Sequence, residues 1–502
     1  STRSRAVSCT AKEAIRTGIA PDGGLFVSDA LGSEKLDVTG LAEQSYADIA
    51  NSVLQLLLPD YTADEIAACV HEAYDGTFAS SEVTPLVPLV GHEAEEGRQP
   101  FVLELFHGPT SAFKDVALQM LPRLMARTGS ASDTPAESIM IVTATSGDTG
   151  KAALAGFADA PGTGITVFYP EGKVSRVQEL QMTTQTGGNV AVCGVRGNFD
   201  DAQSAVKRIF ADRELAERLA ERGVVLSSAN SINVGRLVPQ VVYYFAAYAQ
   251  LLRAGAIETG DEVEFCVPTG NFGDVLAGYY AKLLGLPVAK LIVASDKNNV
   301  LYDFLTTGVY DRKRPFFTTI SPSMDILISS NLERMLYYLS DGDCELVASL
   351  MEQLAHEGRY EVPAELLARI QEVFACGWAN EDEVRAAIGS CWHDHRYVID
   401  PHTACGYHVL GQVPATPAAR ARVLLSTASP YKFPRAVAES LGLDVPADDF
   451  ACMEVLAKAT GTTPPVQLAT LQQAAVLHDD VVDVDGMASY VEHACHAKLG
   501  QR

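Results

Sequence analysis

The stretch Ile139-Met140-Ile141-Val142-Thr143-Ala144-Thr145-Ser146-Gly147-Asp148-Thr149-Gly150-Lys151 decides how the chain is read. Its first residues are apolar and partly β-branched, the composition of a strand covered on both faces. Small residues follow, and helical spacing runs from Thr149 to Phe157. The unit then repeats. Strand-like Ile165 to Tyr169 precedes a helical Val174 to Thr184, and Asn189 to Val195 precedes Ala202 to Glu221. Val224 to Leu226 leads to Arg236 to Leu252, Val263 to Val267 leads to Val275 to Leu284, and Leu291 to Val293 continues. Such alternation predicts an α/β fold of parallel strands with helices on both faces. Ligands bind such sheets in the strand-to-helix loops, beyond the carboxyl ends of the strands.

Outward from this core the pattern changes. Residues 1 to about 96 are mixed. A short strand is expected at Leu25-Phe26-Val27 after the Gly23-Gly24 turn, with helices at Ile49 to Leu58 and Ala63 to Ala73. The acidic Gly91 to Gly97 stretch reads as an exposed connection. Residues 325 to 397 lose the strands and read as several helices. From His402 the α/β pattern resumes, with a strand at Arg422 to Ser426, and Pro464 to Leu499 reads as surface helices.

Composition bounds the partners. The 502 residues carry a net charge of −25, with 47% hydrophobic and 20% charged residues. That is a globular chain, and its acidity argues against nucleic acid and anionic membranes, which are gripped by clustered Lys and Arg. No apolar stretch reaches the ~18–20 residues needed to span a bilayer, and Ser1 to Arg5 lacks a signal-type apolar segment behind it. A cytoplasmic protein is the expectation. The ten cysteines are scattered without a CxxC pair, which fits small hydrophobes in a reducing compartment. Cys391-Trp392-His393-Asp394-His395 has only short spacings and no second ligand pair, so it reads as a helix end and no metal site is expected.

Three segments carry chemistry. In Thr143 to Lys151, small residues let the backbone approach a ligand and the helix start offers free N–H groups to an anion. Only two residues separate Gly147 from Gly150-Lys151, where a Walker loop needs four. Pro268-Thr269-Gly270-Asn271-Phe272-Gly273-Asp274 also joins a strand to a helix, and its glycines allow successive N–H groups to cup a phosphate. Gly197-Asn198-Phe199-Asp200 looks similar but lacks the second Gly and reads as a helix cap. In Glu104 to Asp115, Lys114 stands alone between Ala112-Phe113 and Val116-Ala117-Leu118. Desolvation favours its neutral amine, which makes it a Schiff-base nucleophile. A lysine, a phosphate cup and a second anion loop on one parallel sheet together suggest pyridoxal phosphate. His107 reads equally as proton relay or turn residue, Asn230 as ligand contact or turn residue, and Lys151 and Lys432 as solvated or anion-facing.

The set resembles the threonine synthase family. The resemblance rests on His107-Gly108-Pro109-Thr110 through Ala112-Phe113-Lys114-Asp115, Ala144 to Gly150, Ser228 to Asn233 with Arg236, Pro268 to Asp274 and Ser426-Thr427-Ala428, in order along nearly the whole chain. It implies the tryptophan-synthase-β fold of pyridoxal phosphate enzymes (fold type II): two parallel-sheet lobes, an N-terminal domain and a helical insertion. The implied domains are 1–97, a core over 98–324, an insertion over 325–400, and a return to the core with C-terminal helices over 401–502. The implied reaction converts O-phospho-L-homoserine and water to L-threonine and phosphate, a carbon–oxygen lyase step that ends threonine biosynthesis. Lys114 would hold the cofactor as a Schiff base, Gly270, Asn271, Phe272 and Gly273 its phosphate, and Thr427 its ring nitrogen. Thr145, Ser146, Asp148 and Thr149 would meet the substrate carboxylate or cofactor O3′, and Ser231, Asn233 and Arg236 the substrate phosphate. A monomer or homodimer is expected. One position departs: Ser429 stands where the family often has His, which implies that this His is dispensable. Two other readings are a lyase or dehydratase acting on serine or threonine, and a cofactor-binding protein without catalysis. Arg236 favours a phosphorylated substrate over the first, and intact Lys114 argues against the second.

Overall fold

The computed structural model describes residues 1–91, 100–129, 138–145 and 147–499. The connection over 92–97, the boundary expected at 97 and the candidate Ser146 lie outside them. Two sheets organise the chain, as the two-lobed α/β reading expects. One has five parallel strands in the order Val481–Asp483, Val190–Arg196, Thr163–Pro170, Ser138–Ala144 and Val224–Ser227. The other runs Leu86–Pro88, Pro100–Glu104, Ala419–Ser426, Glu262–Pro268, Val288–Ser295 and Phe374–Trp378. It is parallel apart from its first pair. The strands are mostly apolar, with charged residues such as Glu262, Lys290 and Arg420 confined to their first halves or ends, and all of Thr163–Pro170 is buried.

Helix Val234–Arg253 is buried on nearly every side and packs against helices Lys114–Ala126, Gly273–Leu283 and Tyr46–Leu57. Helices apolar all round are core elements. Helices Lys114–Ala126 and Asp148–Phe157 touch backbone to backbone: a Cβ on Gly156 would stand 1.9 Å from the Leu118 carbonyl oxygen. Each of these helices begins with a residue of the site, so this contact sets the spacing between Lys114 and Asp148.

Four expectations are corrected. Leu25 to Val27 forms no strand; its neighbour is the N-terminal Thr2, whose N–H donates to the Leu25 carbonyl and whose hydroxyl accepts from the Leu25 N–H, so no ladder extends. The helix expected over 202–221 is two, Phe199–Ala211 and Arg213–Ala220, because Asp212 leaves the helical backbone and caps the second. The strandless reading of 325–397 fails at Phe374–Trp378, the parallel edge of the larger sheet, and at Arg359–Glu361, which pairs with Val309–Asp311. Phe374 turns extended directly after helix Ala364–Val373, with no turn residue to mark the change. The expected tail of surface helices contains the edge strand Val481–Asp483. Gly197-Asn198 behaves as read, with Asn198 capping its helix through a reciprocal pair with Asp201.

Candidate active site

Lys114 is the first residue of its helix and is buried. The loop before it is zipped to the end of strand Ala419–Ser426. Phe113 N–H donates to the Thr427 carbonyl at 2.8 Å, and Ser429 N–H donates to the Ser111 carbonyl at 3.0 Å. This pairing brings Thr427 beside the lysine loop. The Lys114 amine donates to Ser323 Oγ at 3.2 Å, and Ser323 Oγ donates to Asp148 Oδ2 at 3.0 Å. Burial pushes the Lys114 amine down to about 8, and the Asp148 carboxylate opposes that fall. An amine this close to neutral pH is a competent nucleophile and proton carrier.

Asp148 opens helix Asp148–Phe157 and has a second cation beside it. Lys432 Nζ lies 2.6 Å from Asp148 Oδ1 and donates to the Thr110 carbonyl at 3.0 Å. Burial alone would raise the Asp148 carboxyl, but Lys432 and Lys114 outweigh it and hold it well below the usual carboxylate range. The solvated reading of Lys432 is therefore corrected: its side chain is fully buried in the site. Lys151 is half-buried and donates to Gln185 Oε1.

The loop Pro268 to Asp274 has the features of a phosphate cup. Phe272 precedes helix Gly273–Leu283 with φ +63° and gives it no side-chain cap; in the first turn the Val275 N–H donates to Asp274 Oδ1 at 2.9 Å. The Phe272 ring is buried against Phe374, which anchors the loop. The Gly270 and Asn271 carbonyls accept from Ser329 Oγ and the Asn331 N–H, so the loop's N–H side faces away from them. Burial raises the Asp274 carboxyl to about 6, against the hydrogen bond from Thr269 Oγ1.

The remaining candidates divide. Arg236 is buried, donates to the Ala229 carbonyl at 2.9 Å, and makes no ion pair among the described residues. Ser231 is partly buried and lies near Gly273. Thr149 is partly exposed in the first turn of its helix. Thr145 turns its hydroxyl to the Gly147 and Gly150 N–H groups, each at 2.9 Å, and so shapes the loop. Asn233 receives a different role from the expected one. Its Oδ1 accepts from the Gly235 N–H and its Nδ2 donates to the Ile15 carbonyl, so it caps helix Val234–Arg253 and ties it to the N-terminal region. His107 pairs with Glu104 at 2.7 Å, and Asn230 accepts from Thr143 Oγ1. Ser429 caps the turn Pro430–Lys432 that delivers Lys432.

Three members of the site escape a reading of motifs: Ser323, His402 and Asp400. His402 Nε2 accepts from the Ser323 N–H at 3.1 Å, and its Nδ1 faces Asp400 Oδ1 at 2.7 Å. The Asp400-Pro401 helix start is visible in the chain, but nothing local says that it meets Lys114.

These residues fit pyridoxal phosphate: an amine of lowered pKa for the aldehyde, an uncapped glycine-rich helix start for the phosphate, and a hydroxyl-bearing residue, Thr427, across from the lysine loop. That constellation on two parallel sheets defines the class of pyridoxal-phosphate-dependent enzymes, and a family model described as pyridoxal-phosphate dependent enzyme matches residues 79–426. Models of the threonine synthase N terminus and C-terminal region match residues 1–74 and 403–483. Threonine synthase from Eremothecium gossypii is 36% identical, with 96% of this chain and 94% of that protein covered. Human threonine synthase-like 1 is 38% identical over 92% of this chain, which spans 62% of the human protein's length. The crystal structure of threonine synthase from Brucella melitensis, with its cofactor bound, superposes with a TM-score of 0.84 at 37% identity over 98% of each chain. The chain belongs to the threonine synthase family.

Proposed function

We propose that the protein is a threonine synthase, converting O-phospho-L-homoserine and water to L-threonine and phosphate with pyridoxal phosphate held on Lys114. The observation that carries this reading is the pair of anion sites around one amine. The uncapped loop Gly270 to Gly273 suits the cofactor phosphate, and the buried guanidinium of Arg236, without a carboxylate of its own among the described residues, suits the substrate phosphate.

The bound cofactor supplies an aldehyde for amine exchange and a ring that takes up electrons from the substrate's Cα–H bond. The chain supplies the rest. Lys114 is the base and acid that moves protons at Cα and Cβ. The Thr427 hydroxyl meets the ring nitrogen, and a hydroxyl there does not enforce its protonation. The charge of Asp148 is matched by Lys432, so the substrate carboxylate falls to the N–H groups and the Thr149 hydroxyl at the start of helix Asp148–Phe157, with Thr145 holding the loop in shape. Arg236 and Ser231 hold the leaving phosphate. The Asp/Glu excess therefore leaves room for small anions, each met by local N–H groups and a few buried cations. Ten free cysteines, all but Cys9 and Cys376 buried, suit the cytoplasm, and among the described residues no helix is long and apolar enough to cross a membrane. The test is incubation of the purified holoenzyme with O-phosphohomoserine, scored for threonine and phosphate in equal amounts. Ammonia and a keto acid released from serine or threonine, with no phosphohomoserine turnover, would make it a dehydratase instead.

A further inference from the structure

Ser323 lies in the short turn Pro322–Met324, far in sequence from every motif. Three elements hold it. His402 takes its backbone N–H, which makes Nε2 the acceptor and leaves the imidazole hydrogen on Nδ1, toward Asp400. The phosphate loop presses on the same turn: a Cβ on Gly270 would stand 3.2 Å from the Met324 Cα and carbonyl oxygen. The side chain then bridges Lys114 and Asp148 in one direction, accepting from the amine and donating to the carboxylate.

We propose that Ser323 is a further catalytic residue, whose hydroxyl joins the Lys114 amine to Asp148 and holds the protonated amine in place between carbon protonation steps. This rests on Lys114 being the proton carrier of the reaction proposed above. A buried ammonium without an acceptor is costly, and the Ser323 oxygen is the acceptor at hand. The proton stays on Lys114. Asp148 does not take it, because Lys432 keeps that carboxylate ionised. The amine gives its proton back to carbon, and no net proton passes along the bridge. The charged groups acting on Lys114 are Asp148, Arg236, Lys432 and Asp274, and His402 acts on Asp148 and touches Ser323. Lys432 and His402 are positioning residues in this arrangement.

The test compares Ser323→Ala with Ser323→Thr in the full chain freed of cofactor, with folding checked by circular dichroism. Labelling of the Lys114 amine by an acetylating reagent is followed against pH by peptide mass spectrometry. The parent midpoint is expected at about 8. Ser323→Ala lowers it by about one pH unit, the scale of one hydrogen bond from a charged donor, and Ser323→Thr keeps it. In the holoenzyme, Ser323→Ala also slows exchange of the substrate Cα hydrogen with deuterated water by about tenfold. If Ser323→Ala does not fold, Ser323→Cys serves, since a thiol is a weak acceptor. An unchanged or raised midpoint overturns the proposal. Absence of threonine formation by the parent enzyme would strike the reaction reading and leave the labelling result standing.

Discussion

Lys432 Nζ and Asp148 Oδ1 lie 2.6 Å apart, and neither side chain has more than 3% of its surface in solvent. Removing one partner of such a pair leaves the other charged and buried. Lys432→Met is expected to cost about 3–5 kcal/mol in urea unfolding. Lys432→Met combined with Asp148→Leu is expected to recover part of that, because apolar residues of similar volume replace both charges. A pair of single variants that each lose under ~1 kcal/mol would show that the two charges are not held apart from water.

Lys114 and Lys432 are buried and Lys151 half-buried, and geometry distinguishes the three. Lys432 is committed to Asp148, and Lys151 to Gln185. Burial lowers both Lys114 and Lys151 to about 8, but among the described residues Lys114 has only the Ser323 hydroxyl as hydrogen-bond partner. Borohydride reduction of the holoenzyme is expected to fix the cofactor on the peptide containing Lys114 alone, and Lys114→Ala to abolish turnover. Cofactor found on Lys432 or Lys151 would overturn the assignment.

Much of this was legible in the chain because the relevant signals are local. A lone lysine among apolar residues and two small-residue loops after β-branched strands can each be read within a dozen positions. Lys432 and Ser323 could not be read that way. Lys432 looks like any lysine near a turn until Asp148 is brought beside it, and Ser323 acquires a role only from its approach to the phosphate loop and His402. The same holds for Phe374–Trp378. Its place at the edge of the sheet is set by pairing with Val288–Ser295, while no Gly, Pro or Asn separates it from the preceding helix. Asn233 shows the opposite failure: a motif residue suggested a ligand contact, and the fold spends both ends of its side chain on the backbone.

Helix-to-helix spacing under the site depends on Gly156. A methyl group there would meet the Leu118 carbonyl at 1.9 Å, a backbone atom that cannot rotate away. Gly156→Ala is expected to destabilise the fold by about 3 kcal/mol through forced separation of helices Lys114–Ala126 and Asp148–Phe157. The shift of the urea midpoint measures it, with Gly129→Ala as a comparison, where a Cβ meets nothing within 4 Å.

Asp274 carries a pH dependence of known sign. Burial raises its carboxyl in the folded chain to about 6, from about 3.8. The folded state therefore binds this proton more tightly than the unfolded state. The favourable contribution is complete below the unfolded value and is lost as pH rises through about 6. Asp274→Asn keeps the acceptor for Thr269 and removes the titration. In the full chain freed of cofactor, the variant is expected to be more stable than the parent by about 2 kcal/mol at pH 7 and equal to it near pH 4. A difference that does not change between these pH values would mean that Asp274 is ionised throughout.

Arg236 separates the two anion sites. Burial lowers its guanidinium to about 10, with Asp274 opposing, so it remains charged at neutral pH. It donates to the Ala229 carbonyl, and among the described residues the rest of its fork has no hydrogen-bond partner, which suits it to a phosphate dianion. Arg236→Lys keeps a charge and loses the fork. KM for O-phosphohomoserine is expected to rise about 10–100-fold, the range of one or two charge-assisted hydrogen bonds, while the cofactor absorption band stays in place. The split matters because the cofactor phosphate is assigned to Gly270 to Gly273. If Arg236→Lys bleaches the cofactor and leaves KM unchanged, the guanidinium serves the cofactor and the substrate phosphate must be met from Ser231 and the loop around it.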